Sequence, residues 1–187
     1  NIINLVDHLL LNKSFPHFAI ISGPMGVGKT SLSKIIAKRL VSNEESIKLF
    51  NMASADVNDI IKNYLKYSPV DTIVLMFEEL HALDRKSMTE FLTVIDSLPK
   101  NVYILATTTE IYHIAKPIVS RAIKFELKLL SNEDMRKLLE SYAVKRNYSF
   151  SEVAESALLY YAHGIPRDLI KTADIVIDSD CCDDNVI

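Results

Sequence analysis

The sequence predicts an α/β protein: a domain built on a five-stranded parallel sheet, followed by a small domain of three helices. Three observations predict it. Asp71 to Phe77 and Val102 to Thr107 are apolar on both faces, as strands covered by helices on either side must be. The strand segments alternate with helical ones, the connection that parallel pairing needs. From Ser131 onward the strand pattern stops and helical segments follow, each with its own start signal.

In chain order, Ile2 to Leu10 opens in a helical pattern, and Phe18-Ala19-Ile20-Ile21 is a short apolar strand. It runs into Gly23-Pro24-Met25-Gly26-Val27-Gly28-Lys29-Thr30, which Ser31 to Leu40 leaves as a helix. Ile47 to Asn51 reads as a strand, and Asp56 to Tyr67 as a helix capped by Ser54 or Asp56. Asp84 or Ser87 caps a helix that runs to about Leu98, where Pro99 stops it. Ile123 to Leu127 makes the fifth strand, with Arg121 at its start. Ser131 heads a helix with Glu133 and Asp134 in its first turn, Ser151 heads another that ends at Gly164, and Pro166 opens a third at its tolerated early position. The domains are thus residues 1–130, residues 131–178, and an Asp-rich linker over 179–187.

The 187 residues carry a net charge of -3, which neither advertises nucleic-acid binding nor excludes a local basic stripe. No apolar run approaches the ~20 residues of a membrane span, and the start lacks a secretory pattern, so a cytoplasmic protein without a membrane partner is expected. Cys181 and Cys182 are adjacent. Their Cα atoms lie ~3.8 Å apart, below the usual ~4.4–6.8 Å of a disulfide. Their spacing matches no common zinc pattern, and a solvated tail is the expectation. The chain begins within a helical pattern and reads as part of something longer.

The loop from Gly23 to Thr30 fits G-x-x-x-x-G-K-[ST] at every fixed position, between a strand and a helix. Glycines let successive N–H groups converge on one anion, and the helix that follows adds the positive end of its dipole. Gly23, Pro24, Met25, Gly26, Val27, Gly28, Lys29, Thr30 and Ser31 are therefore the candidate ATP-binding residues. Lys29 reaches the outer phosphates, and Thr30 places its hydroxyl on magnesium. Strand 73–77 ends in Glu78-Glu79-Leu80-His81, two carboxylates at the C-terminal edge of a parallel sheet, where ligands of open α/β folds gather. One carboxylate could hold magnesium through its waters while the next polarises an attacking water.

In order, the chain carries S-G-P-M-G-V-G-K-T-S, F-E-E-L-H-A-L, I-L-A-T-T-T-E, I-V-S-R-A and G-I-P-R-D. This set resembles the AAA+ ATPases and, within them, the clamp-loader subunits: the bacterial DNA polymerase III gamma/tau type and, more distantly, replication factor C. The resemblance runs from about Phe18 to Asp174 and covers two of the three domains of such subunits, the helical collar being absent. It implies Glu78 as the magnesium-supporting residue, Glu79 as catalytic base and Thr108 as the sensor near the terminal phosphate. Ser120-Arg121-Ala122 looks like the family's Ser-Arg-Cys motif, whose arginine acts on the neighbouring subunit's ATP. Arg167 looks like the second sensor, carried by the helical lid. Read without the motif order, Arg121 could simply pair with a surface carboxylate, and Arg167 could serve its helix dipole.

The chain departs from the family pattern in Glu78, where Asp is usual, in Ala122, and in lacking the cysteines of the bacterial zinc module. The resemblance implies ATP and Mg2+ as cofactors, without zinc. It implies as partners other AAA+ subunits in a ring-like, pentameric complex, a sliding clamp and primer–template DNA. Arg85 and Lys86 are candidates for DNA phosphate contacts, and Lys62 and Lys66 share a helical face that more simply is solvated. The implied function is ATP-dependent loading of a clamp on DNA. The alternatives are another AAA+ DNA motor, such as a Holliday-junction branch-migration ATPase, or a nucleotide-binding structural subunit without turnover.

Overall fold

The computed structural model describes residues 2–60, 64 and 71–183, with side chains at all of these except 58 and 180–183. The chain divides into two compact units, residues 1–23 with 29–127, and residues 24–28 with 128–187.

The first unit opens with α1 (Ile2–Leu11) and β1 (Phe18–Ser22), then α2 (Lys29–Leu40) and β2 (Ile47–Asn51). α3 (Val57–Ile60), β3 (Ile73–Glu78), α4 (Arg85–Asp96), β4 (Val102–Thr108), α5 (Lys116–Arg121) and β5 (Ile123–Glu126) follow. The five strands pair in parallel in the order β2-β3-β4-β1-β5.

Alternation along each strand explains why the strands read as continuous apolar runs. Phe18, Ile20, Leu75, Phe77, Ile104 and Ala106 turn to a face that buries Phe91 and Val94 of α4 and Ile118 of α5. Their neighbours Ala19, Ile21, Val74, Met76 and Leu105 turn to the other face, against Val6 of α1 and Ile36 and Ala37 of α2. With period 2 and two buried faces, every position must be apolar. Phe91 meets both Phe18 and Phe77 edge-on, at ring separations of 5.9 and 5.4 Å.

The strand order creates a switch point. From β1 the chain crosses toward β2, whereas from β4 it crosses past β1 to β5, so a crevice opens at the carboxyl ends of β1 and β4. The register brings Ser22 beside Thr108 there, and Asn51 beside Glu78.

The second unit holds α6 (Asn132–Arg146), α7 (Glu152–Ala162) and α8 (Pro166–Asp183). They bury Met135, Leu139, Leu158, Leu159, Leu169 and Ala173 in one core. Ser131 and Ser151 cap α6 and α7 by accepting from the N–H groups of Asp134 and Ala154. α6 ends at Asn147, left-handed at φ 52°. α7 ends at the left-handed pair His163 and Gly164. Tyr142 on α6 donates its hydroxyl to Asp174 on α8, and this bond raises the phenol's pKa above its ordinary value.

Some boundaries differ from expectation. α4 stops at Asp96, not Leu98, because Ser97 turns its hydroxyl back onto the Thr93 carbonyl at 2.8 Å. Asp84, rather than Ser87, caps it, accepting the Ser87 N–H at 2.7 Å, which lowers the Asp84 pKa. Helix α5 was not expected: Arg121 ends a short helix instead of starting a strand. Its Lys-Pro-Ile-Val-Ser-Arg has too few residues for a helical period, and two of them are β-branched. α8 stays helical to Asp183, where a linker was expected from residue 179. Of the helix expected to Tyr67, residues 61–63 and 65–67, Lys62 and Lys66 among them, lie outside the described residues, as do the side chains of Cys181 and Cys182.

Candidate nucleotide site

The loop leaves β1 at the switch point. Gly23 has φ 144°, and a Cβ there would lie 2.2 Å from the Leu127 carbonyl oxygen, so only glycine fits between β1 and the chain leaving β5. Gly28 has φ 100°, and nothing lies within 4 Å of where its Cβ would be. Its requirement is conformational, and the space beside it is open. Lys29, the first residue of α2, is 8% exposed and donates from Nζ to the Gly23 carbonyl at 2.9 Å. The amine is thus folded back along the loop that the motif expects it to serve.

Thr30 Oγ1 donates to Glu78 Oε1 at 2.7 Å. The two residues stand 48 positions apart in sequence. α2 begins at the end of β1 and Glu78 is the last residue of β3, so the sheet edge brings hydroxyl and carboxylate together. This pair of hard oxygens fits Mg2+, which takes one or two protein oxygens and completes its shell with phosphate and water. The longer Glu78 side chain still reaches the threonine that the motif assigns to the metal. Among the described residues no group of three or more His, Cys, Asp or Glu could hold a metal by itself.

Glu79 follows β3 in the left-handed conformation, φ 57° and ψ 47°, uncommon for a residue with a Cβ. A 3-10 turn, Leu80–Ala82, holds it there: Leu80 is fully buried and the Ala82 N–H donates to the Glu79 carbonyl at 2.8 Å. Glu79 Oε2 lies 3.5 Å from His81 Nδ1, and that same nitrogen is 3.1 Å from Thr108 Oγ1. Thr108, the last residue of β4, is fully buried and accepts the Glu110 N–H at 3.0 Å. His81 lies within the carboxylate motif but carries no assignment there. Nothing in its spacing marked it, and only the turn and the β3–β4 pairing put it beside Thr108.

Arg121 makes its contacts elsewhere. Its Nε and Nη2 donate to the two oxygens of Asp96 at 2.6 and 3.0 Å, and Nη1 donates to the Pro117 carbonyl at 3.0 Å. This fork holds the Asp96 pKa below its ordinary value, chiefly through the hydrogen bond, and raises that of Arg121. The reading of Arg121 as partner of a surface carboxylate therefore describes this conformation. Two of the five guanidinium N–H groups are not used by these bonds. In the second unit, the N–H of Arg167 donates to the Gly26 carbonyl at 3.3 Å, so the start of α8 touches the loop segment 24–28. Arg85 and Lys86 are both exposed in the first turn of α4, and Lys86 lies 3.9 Å from Glu90. Cations at a helix N-terminus oppose its dipole, and for Lys86 the pairing with Glu90 on the same helix offsets this.

A parallel sheet with a phosphate loop at its switch point, and a hydroxyl–carboxylate pair beside that loop, defines a P-loop nucleotide-binding fold. Residues 19–130 match the model of the ATPase family associated with various cellular activities (AAA), and the chain belongs to that family. It is 26% identical over 188 residues to the DNA polymerase III subunit gamma of Buchnera aphidicola subsp. Acyrthosiphon pisum (strain APS), covering 87% of this chain and 52% of that protein. It is 27% identical over 190 residues to the DNA polymerase III subunit tau of Escherichia coli (strain K12), covering 87% of this chain and 29% of that one. Identity to the replication factor C small subunit of Methanosarcina acetivorans is 27% over 180 residues, 90% of this chain and 53% of that one.

These names are those of the gamma/tau and replication factor C subunits that the motifs resemble, and the chain spans about half the length of the Buchnera relatives. Among solved structures, the P216G mutant of Thermotoga maritima RuvB superposes with a TM-score of 0.79 at 19% identity, over 92% of this chain and 59% of that one. Another, described as the RuvB Holliday junction branch migration motor, gives 0.75 at 21%, over 92% and 58%. At that identity the likeness establishes the fold.

Proposed function

We propose that the chain is the ATPase core of a DNA sliding-clamp loader subunit. ATP binding would draw subunits around a clamp and primer–template DNA, and hydrolysis would release them. The Thr30–Glu78 contact carries the reading, because it joins the phosphate loop to the carboxylate strand at 2.7 Å. The naming of the relatives as DNA polymerase III and replication factor C subunits supports the clamp and DNA as partners.

In hydrolysis, water forms a bond to the terminal phosphorus as the bond from that phosphorus to the bridging oxygen breaks. ADP leaves with the electron pair, and the water's proton passes to the Glu79 carboxylate. Magnesium, held by Thr30 and supported by Glu78, would neutralise charge on the phosphate oxygens. Lys29 leaves the Gly23 carbonyl for the outer phosphates. Arg121 serves the ATP of a neighbouring subunit, and Arg167 brings the lid to the nucleotide. Arg85 and Lys86 contact DNA phosphates.

The test is ATP turnover by the full-length protein with its partner subunits, with and without a clamp and primed DNA. Stimulation by both is expected. Turnover indifferent to the clamp points to another DNA motor, and bound ATP without turnover points to a structural subunit.

A further inference from the structure

We infer that His81 is a positioning residue that fixes the Glu79 carboxylate and is itself anchored by Thr108; the inference rests on the ATPase reading above. The reason begins with burial. Thr108 is fully buried, so in this conformation its hydroxyl meets protein and not solvent. The group between it and the partly exposed Glu79 is the His81 ring, whose Nδ1 lies 3.1 Å from Thr108 Oγ1 and 3.5 Å from Glu79 Oε2.

One nitrogen facing two oxygens constrains the tautomer. An ionised carboxylate only accepts, so a bare Nδ1 turned toward Glu79 would set lone pair against lone pair. An Nδ1–H is attracted to both. Thr108 Oγ1 has two lone pairs, of which one receives the Glu110 N–H at 3.0 Å; the other is open to Nδ1–H. The chain of contacts thus runs from the Glu110 backbone through Thr108 and His81 to Glu79. Its anchor lies at the end of β4, and His81 sits in the turn after β3, beside the fully buried Leu80. A base whose backbone is held left-handed at φ 57° gains a second restraint on its side chain. Thr108 then also acts on turnover through His81, beside the sensor role that the motif resemblance implies.

The experiment measures kcat, KM and nucleotide affinity in the full-length protein assembled with its partner subunits. His81→Ala and Thr108→Ala should each lower kcat by about 10–100-fold, the cost of losing an orienting outer partner, with nucleotide affinity unchanged. The double variant should be no worse than the weaker single one, because both remove the same restraint. Asn sets an amide near the position of Nδ1, whereas Gln extends it toward that of Nε2. His81→Asn should therefore recover most of the lost kcat and His81→Gln should not. Parent-like turnover in His81→Ala, multiplicative losses in the double variant, or equal rescue by Asn and Gln would each overturn the role of His81 alone. A parent complex without ATP turnover would overturn the ATPase reading and this inference together.

Discussion

At the scale of single residues, the proposed mechanism separates holding the nucleotide from cleaving it. Lys29 is the flexible cation of the loop, bonded at present to the Gly23 carbonyl. Lys29→Ala should abolish tight ATP binding, read by titration calorimetry; unchanged affinity would remove the phosphate-cradle assignment. Glu79→Gln should keep ATP bound while turnover falls by about 10²–10⁴, the usual contribution of a general base. The amide occupies the same space but cannot take the proton, so parent-like turnover would place the base elsewhere.

Asp96 offers a prediction in pH. Its pKa is depressed by Arg121, so the folded state holds a carboxylate that the unfolded chain protonates more readily. The stability this contributes is complete above the ordinary carboxylate value of 3.8 and is lost as pH falls through the depressed folded value. Asp96→Asn should therefore flatten the acid limb of the stability curve below the ordinary value of 3.8, measured by urea unfolding at stepped pH. An unaltered acid limb would mean the fork is not kept in solution.

At the scale of elements, α7 depends on its first turn. Ser151 accepts the Ala154 N–H at 3.2 Å, and Glu152 and Glu155 lie at the favourable end of the dipole. Ser151→Ala should cost about 1 kcal/mol in urea unfolding, the typical value of a lost N-cap. No change would show that the acidic residues hold the turn by themselves. α5 shows the limit of pattern reading: six residues with one buried anchor, Ile118, give no period to detect. It forms because Ile118 packs under the sheet with Phe18 and Phe91, and its last turn is tied to α4 through Asp96 and Arg121.

At the scale of the whole molecule, the proposed mechanism divides a reaction between subunits. Arg121→Ala should leave nucleotide affinity of its own chain nearly intact, since its bonds go to Asp96 and Pro117. In the assembled full-length complex it should reduce turnover by about 10³–10⁵, the range known for arginine fingers. Mixing Arg121→Ala with Lys29→Ala subunits checks the geometry. Turnover is expected only at interfaces where an intact arginine faces an intact loop, and turnover independent of pairing would make Arg121 a structural residue.

The residues by themselves determined the sheet strands, the phosphate loop, the adjoining carboxylates and the caps at Ser131 and Ser151. Each of these is a local signal: a double-faced apolar run, a fixed glycine spacing, or a side chain that bonds three residues ahead. Tertiary structure alone decided which distant groups meet. Strand pairing and the switch point between β1 and β4 put Thr30 on Glu78, the 3-10 turn after β3 put His81 between Glu79 and Thr108, and packing of α4 against α5 gave Arg121 its carboxylate. Such pairs depend on strand order and register, which no spacing along one chain records.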